Sequence, residues 1–105
     1  MSKFRISEFS RLQTAAGVGH AAESAQIPMH PQVVVQTPIT LSGVSQKSQA
    51  FNAATNFVLL DADAACHFVV GVDPVATTDS ERLLADNQRY IGVPPGYKIA
   101  VIASA

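Results

Sequence analysis

The stretch Ala65-Cys66-His67-Phe68-Val69-Val70-Gly71-Val72 decides the fold class. Successive side chains on a strand point to opposite faces. Cys66, Phe68, Val70 and Val72 therefore share one face, which reads as a core face. Ala65, His67, Val69 and Gly71 share the other. That second face is semi-apolar, as expected of a surface partly covered by another sheet or chain. Working outward, Thr55 to Leu60 is a second strand signal, and Asp61-Ala62-Asp63 reads as the turn between the two, because Asp side chains bond nearby backbone amides there. Asp73-Pro74 ends the strand on the other side, and Val75 to Ser80 reads as a polar loop.

Further strands follow toward the C-terminus. Arg82-Leu83-Leu84 is short and turns at Ala85-Asp86-Asn87. Arg89 to Val93 is the next. Pro94-Pro95-Gly96 reads as a tight turn, with φ fixed at the prolines and free at the glycine. Tyr97 to Ala103 closes the chain, with Tyr97, Ile99, Val101 and Ala103 on one face. Before the central stretch, Val33 to Thr37 is β-branched and strand-like. Thr40 to Val44 extends that pairing, Ser45 to Ser48 reads as loop, and Asn52-Ala53-Ala54 as a turn. Together these make about six or seven short strands separated by turn signals. The expected fold is all-β: a small antiparallel β-sandwich, jelly-roll-like, over residues 33–105, with an extended N-terminal arm over residues 1–32.

The arm is rich in Ala, Ser, Gly and Gln and lacks sustained alternation. Within it only Lys3 to Phe9 looks ordered, with Phe4, Ile6 and Phe9 placed to dock on a surface. Arg11 to Ala16 suggests a short helical turn. Gly17 to Ala22 holds too much glycine for a helix, and Pro28 and Pro31 favour an extended course. The arm reads as a segment lying across a neighbouring subunit, the plainer reading being a disordered tail. On the first reading, deleting residues 1–32 weakens attachment and spares the fold.

Composition narrows the function classes. The chain has 105 residues, 48% of them hydrophobic and 14% charged, against roughly 25% charged in an average soluble domain. So little charge points to a surface covered by partner subunits rather than to an unusually apolar monomer. Net charge is −1 and no basic stripe exists, which disfavours nucleic acid. No run reaches the ~20 apolar residues of a membrane span, and Met1-Ser2-Lys3-Phe4-Arg5 does not open a secretory signal. Synthesis in the cytoplasm is expected.

No catalytic constellation emerges. Cys66 and His67 are neighbours on a strand, so their side chains diverge and cannot act as nucleophile and base. His20, His30 and His67 fall in no metal-ligand spacing. Asp61 and Asp63 resemble the start of a calcium loop, but its glycine and terminal glutamate are missing. Gly17-Val18-Gly19 lacks the third glycine of a dinucleotide site. Tyr90 and Tyr97 are candidate carbohydrate platforms, although both flank the Pro94-Pro95-Gly96 turn and are expected to pack there. The expectation is no enzyme, no metal and no cofactor. Partner-binding candidates are Phe4, Ile6, Phe9, Val33, Val35, His67 and Val69.

The order of segments in the C-terminal half carries a resemblance. It runs from Ala50 to Leu60 through Ala62 to Phe68, then Val70-Gly71-Val72-Asp73-Pro74-Val75-Ala76-Thr77-Thr78, Arg82 to Ala85, and Tyr90 to Ile102. This half resembles small structural proteins encoded among the virion genes of tailed bacteriophages. The segments Gly71-Val72-Asp73-Pro74-Val75-Ala76-Thr77 and Val93-Pro94-Pro95-Gly96-Tyr97-Lys98-Ile99-Ala100 are its most specific parts. The resemblance implies a β-rich subunit, symmetric homo-oligomers, no catalysis, and a place in the virion. Capsid decoration or cement protein, bound to the major capsid protein or other virion subunits, is the first expectation. A head–tail connector or tail component is the alternative, and a carbohydrate- or receptor-binding module a further one.

Overall fold

The computed structural model describes residues 2–16, 24–28 and 30–104, with backbone alone for 13–16 and 24–27. Among the described residues there is no helix. The strands are β1 (Lys3–Phe9), β2 (Leu12–Ala16), β3 (Ser24–Pro28), β4 (Val34–Val35), β5 (Ile39–Thr40), β6 (Gln46–Lys47), β7 (Phe57–Ala62), β8 (Cys66–Gly71), β9 (Glu81–Leu83), β10 (Gln88–Gly92) and β11 (Lys98–Ala103). They form two antiparallel sheets packed as a sandwich, plus a separate hairpin. The first sheet has the order β10-β7-β1-β4, with β5 also on β1. The second has the order β6-β11-β8-β9. Among the described residues strands β2 and β3 pair only with each other.

Alternation builds the core. Val58, Leu60 and Ala62 of β7 point inward beside Phe4 and Ile6 of β1. Cys66 and Phe68 of β8 and Ile99 and Val101 of β11 meet them from the second sheet, with Leu41, Phe51, Leu83 and Val93 filling the ends. Tyr97 and Ala103 complete the expected inward row of the last strand.

The turns at Asn52 and Pro94 form as expected. The Asn52 carbonyl accepts from the Thr55 N–H at 2.9 Å, and its side-chain oxygen accepts from the Ala54 N–H at 2.9 Å. Tyr97 N–H donates to the Pro94 carbonyl at 3.4 Å with Gly96 at φ +80°. That is the type II geometry, in which the third position favours glycine.

Four expectations are corrected. Lys3–Phe9 is no docking arm: β1 lies inside the first sheet, with β7 on one side and β4 and β5 on the other. Residues 1–32 therefore do not form one separate arm, because their first strand belongs to the sandwich. Leu12–Ala16 is strand rather than helical turn, its backbone groups being paired by β3. Asp61 stays in the ladder opposite Arg5 and Gln88, so the turn begins only at Asp63. Gln46–Lys47, expected as loop, pairs with Ala100 and Val101. Ser48 then clips that edge, its hydroxyl accepting the Ile99 N–H at 2.9 Å. The glycine-rich stretch 17–22, with His20, lies outside the described residues.

Candidate functional site

The outer face of the first sheet is built by the residues that alternate with the core. On β1 these are Arg5, Ser7 and Phe9; on β7, Phe57, Leu59 and Asp61; on β10, Gln88, Tyr90 and Gly92. The rows across the sheet differ in character. One row is Tyr90, Leu59, Ser7 and Val35. The next is Gly92, Phe57 and Phe9.

Here the aromatics gather. Phe9 and Phe57 stack at 5.3 Å with an interplanar angle of 13°. His30 meets Phe9 edge-on at 5.2 Å, and Tyr90 lies tilted 6.1 Å from Phe57. Phe9 is buried although it points away from the sandwich core. Tyr90 stays 53% exposed. Beside it opens an apolar groove of about 400 Å³, lined by Leu12, Pro28, Phe57, Tyr90, Ile91 and Gly92. The base of the β2–β3 hairpin forms one wall and the β10 end of the sheet forms the other.

Electrostatics mark the far end of the same face. The Arg5 guanidinium donates to Asp63 at 2.8 Å and lies 3.9 Å from Asp61. The Arg5 hydrogen bond, helped by the Lys3 backbone N–H, holds the Asp63 carboxyl below the usual carboxylate range. Lys3 Nζ donates to the Thr40 hydroxyl at 2.7 Å. The two aspartates are thus taken up by basic neighbours. On the second sheet, Lys47 pairs with Asp73 and lowers its pKa in the same way.

What fixes the Phe9 end of β1 is Glu8, which points inward and is 1% exposed. One carboxylate oxygen accepts from the Asn52 N–H at 2.8 Å and the Thr55 hydroxyl at 2.7 Å. The other accepts from the Gln36 amide at 2.9 Å. Gln36 is oriented in turn by the backbone of Gln49, accepting from its N–H and donating to its carbonyl. In the sequence Glu8 merely stands between Arg5 and Arg11. Its partners lie 28 to 47 positions away, so no local pattern announces it.

The proposed partner-binding residues are not brought together. Phe4 and Ile6 are consumed by the core, and Phe9 is enclosed by Phe57 and His30. Val33 is half-buried, its N–H donating to the Glu8 carbonyl at 2.8 Å. Val35 is 65% exposed on the outer face of the first sheet. His67 and Val69 are half-buried on the outer face of the second, where His67 Nδ1 lies 2.9 Å from the Ser80 carbonyl. Cys66, facing the opposite way, is buried, and burial pushes its thiol up to about 11. Tyr97 packs against the core, so of the two tyrosines only Tyr90 offers an open ring. Among the described residues no group of three or more His, Cys, Asp or Glu is placed to hold a metal, and no helix is long and apolar enough to cross a membrane. Comparison with protein-family models, with curated proteins and with solved structures finds no match for this chain.

Proposed function

We propose that this chain is a non-enzymatic structural subunit of a tailed-bacteriophage virion, a capsid decoration or cement protein that binds the major capsid protein shell and stabilises it. It would be made in the host cytoplasm and function in the virion. The observation that carries the reading is the outer surface. Val35, Val44, Val72 and Val75 stand 65% to 68% exposed on a chain with only 14% charged residues. The Ala76 N–H donates to the Ser45 hydroxyl at 2.9 Å, which sets the segments carrying Val44 and Val75 side by side. Exposed apolar side chains on a weakly charged surface suit a subunit whose partners exclude water from them. The resemblance of the segments Gly71 to Thr77 and Val93 to Ala100 to small virion structural proteins points the same way.

Copy number in purified particles tests it. A decoration protein is present in hundreds of copies and binds capsids lacking it; a head–tail or tail component is present in a few to a few tens. A chain absent from particles would sink both. The glycan-binding reading now rests on Tyr90, and Tyr90→Ala should abolish any glycan-array signal if it holds.

A further inference from the structure

Strand β10 ends the first sheet, and among the described residues nothing pairs with its far side. Antiparallel ladders alternate the direction of their hydrogen-bonding groups. The Val93 N–H donates inward to Asn56 at 3.1 Å. Residues 93, 91 and 89 therefore face β7, while the backbone N–H and C=O groups of Gln88, Tyr90 and Gly92 face outward. Such an edge takes an extended strand. The strand contains no proline or lysine to block addition.

The side chains indicate which strand fits. The groove beside the edge is apolar, and Gly92 leaves its floor open: a Cβ there would meet only the Asn56 carbonyl, at 3.9 Å. A second β10, running antiparallel, brings Gln88, Tyr90 or Gly92 itself to that position, and Gly92 against Gly92 would leave the groove unfilled. Gln88 would bury a polar amide in an apolar groove, at a cost. Tyr90 would lay its ring over Gly92, an aromatic covering a glycine across a strand pair.

We propose that β10 is a self-association edge, through which two copies of this chain pair antiparallel with Tyr90 of each opposite Gly92 of the other. The two-fold axis then passes between the two Ile91 residues, and the first sheets join into one continuous sheet. The contact is isologous, so it closes as a dimer. One five-residue edge and its groove bury less than the ~1,200 Å² of a standard stable interface, so association is weak and concentration-dependent. This inference needs no capsid and stands apart from the virion reading.

Sedimentation equilibrium of the purified full chain tests it from about 10 µM to about 1 mM, the range for so small an interface. The wild-type mass should climb from 11.1 kDa toward twice that. Gly92→Lys, which has room within its own chain, and Tyr90→Ser should stay at the monomer mass with an unchanged circular dichroism spectrum. Independently of any variant, amide exchange at Gln88, Tyr90 and Gly92 should slow as wild-type concentration rises. A wild-type chain that remains monomeric at about 1 mM overturns the proposal, and so would an edge that takes a strand only from another protein. A folded Gly92→Lys chain that still dimerises overturns it as well.

Discussion

Glu8 is where one side chain holds the most structure. Three donors from two segments, Gln36 and the Asn52–Thr55 turn, converge on a carboxylate that is 1% exposed. Removing a buried acceptor strands its donors, each at about 1–3 kcal/mol. Glu8→Ala should therefore destabilise the fold by about 3 kcal/mol, read from the urea midpoint at unchanged slope. Glu8→Gln is a sharper probe. Its carbonyl can still serve Asn52 and Thr55, but its amide then faces the Gln36 amide, which Gln49 prevents from flipping. It should remain destabilising despite its near-identical shape. Cys66 makes a second prediction at this scale. Its folded pKa is raised to about 11 by burial, above the ~8.5 of an unfolded thiol. The neutral thiol's contribution is complete below the unfolded value and is lost as pH rises through the folded one. Stability should fall between about pH 9 and 11, and Cys66→Ala should flatten that slope. In the native chain at pH 8, iodoacetamide should leave Cys66 untouched until denaturant is added. Asp63 works in the opposite direction. Its folded pKa is depressed by Arg5, so the stability it adds is present above the unfolded value and disappears at lower pH. Asp63→Asn should reduce the loss of stability in acid.

Among the elements, β1 and the β2–β3 hairpin respond differently to deletion although both lie in the first thirty residues. Strand β1 is hydrogen-bonded on both sides, and losing it exposes β7, β4 and the core side chains beneath. Among the described residues the hairpin pairs only with itself, and Leu12 lies directly across from Pro28. Replacing residues 12–28 by a short glycine–serine linker bridges ends only about 5 Å apart. That variant should keep the cooperative thermal transition, while removal of residues 2–9 should abolish it. The contrast also shows what sequence alone conveys. Strands β7, β8 and β11 were legible because β-branched and aromatic residues alternate there with a solvent or outer face. Strand β1 alternates too, but its inward Glu8 breaks the apolar pattern, and only partners some fifty residues away reveal it as interior. Strand β4 was legible from the β-branched run Val33 to Val35, whereas β5 and β6 are two residues long and have no period to detect. The groove was equally hidden. Tyr90 was visible beside a turn, but its openness depends on β10 being an edge and on where the hairpin base stands.

For the whole molecule, the arrangement of the sheets sets how the chain can fold. The central ladder joins residues near position 6 to residues near position 60, and β6 meets β11 across a comparable distance in sequence. Among the described residues only β2 and β8 pair directly with the strand that follows them, β3 and β9, and the other ladders join segments farther apart in the chain. Loop closure must precede most of the contacts that reward it, which places such sandwiches in the slow part of the two-state range, about milliseconds to seconds. The chain has no tryptophan, so tyrosine fluorescence or far-ultraviolet circular dichroism would follow refolding. If β1 docks only after β7 has formed, Ile6→Val should speed unfolding and leave the refolding rate nearly unchanged. Leu60→Ala, on the strand that both β1 and β10 need, should cost about 3 kcal/mol and slow refolding as well. Refolding in microseconds, or a refolding rate equally sensitive to both substitutions per unit of stability lost, would show instead that β1 docks before the ladder around β7 is assembled.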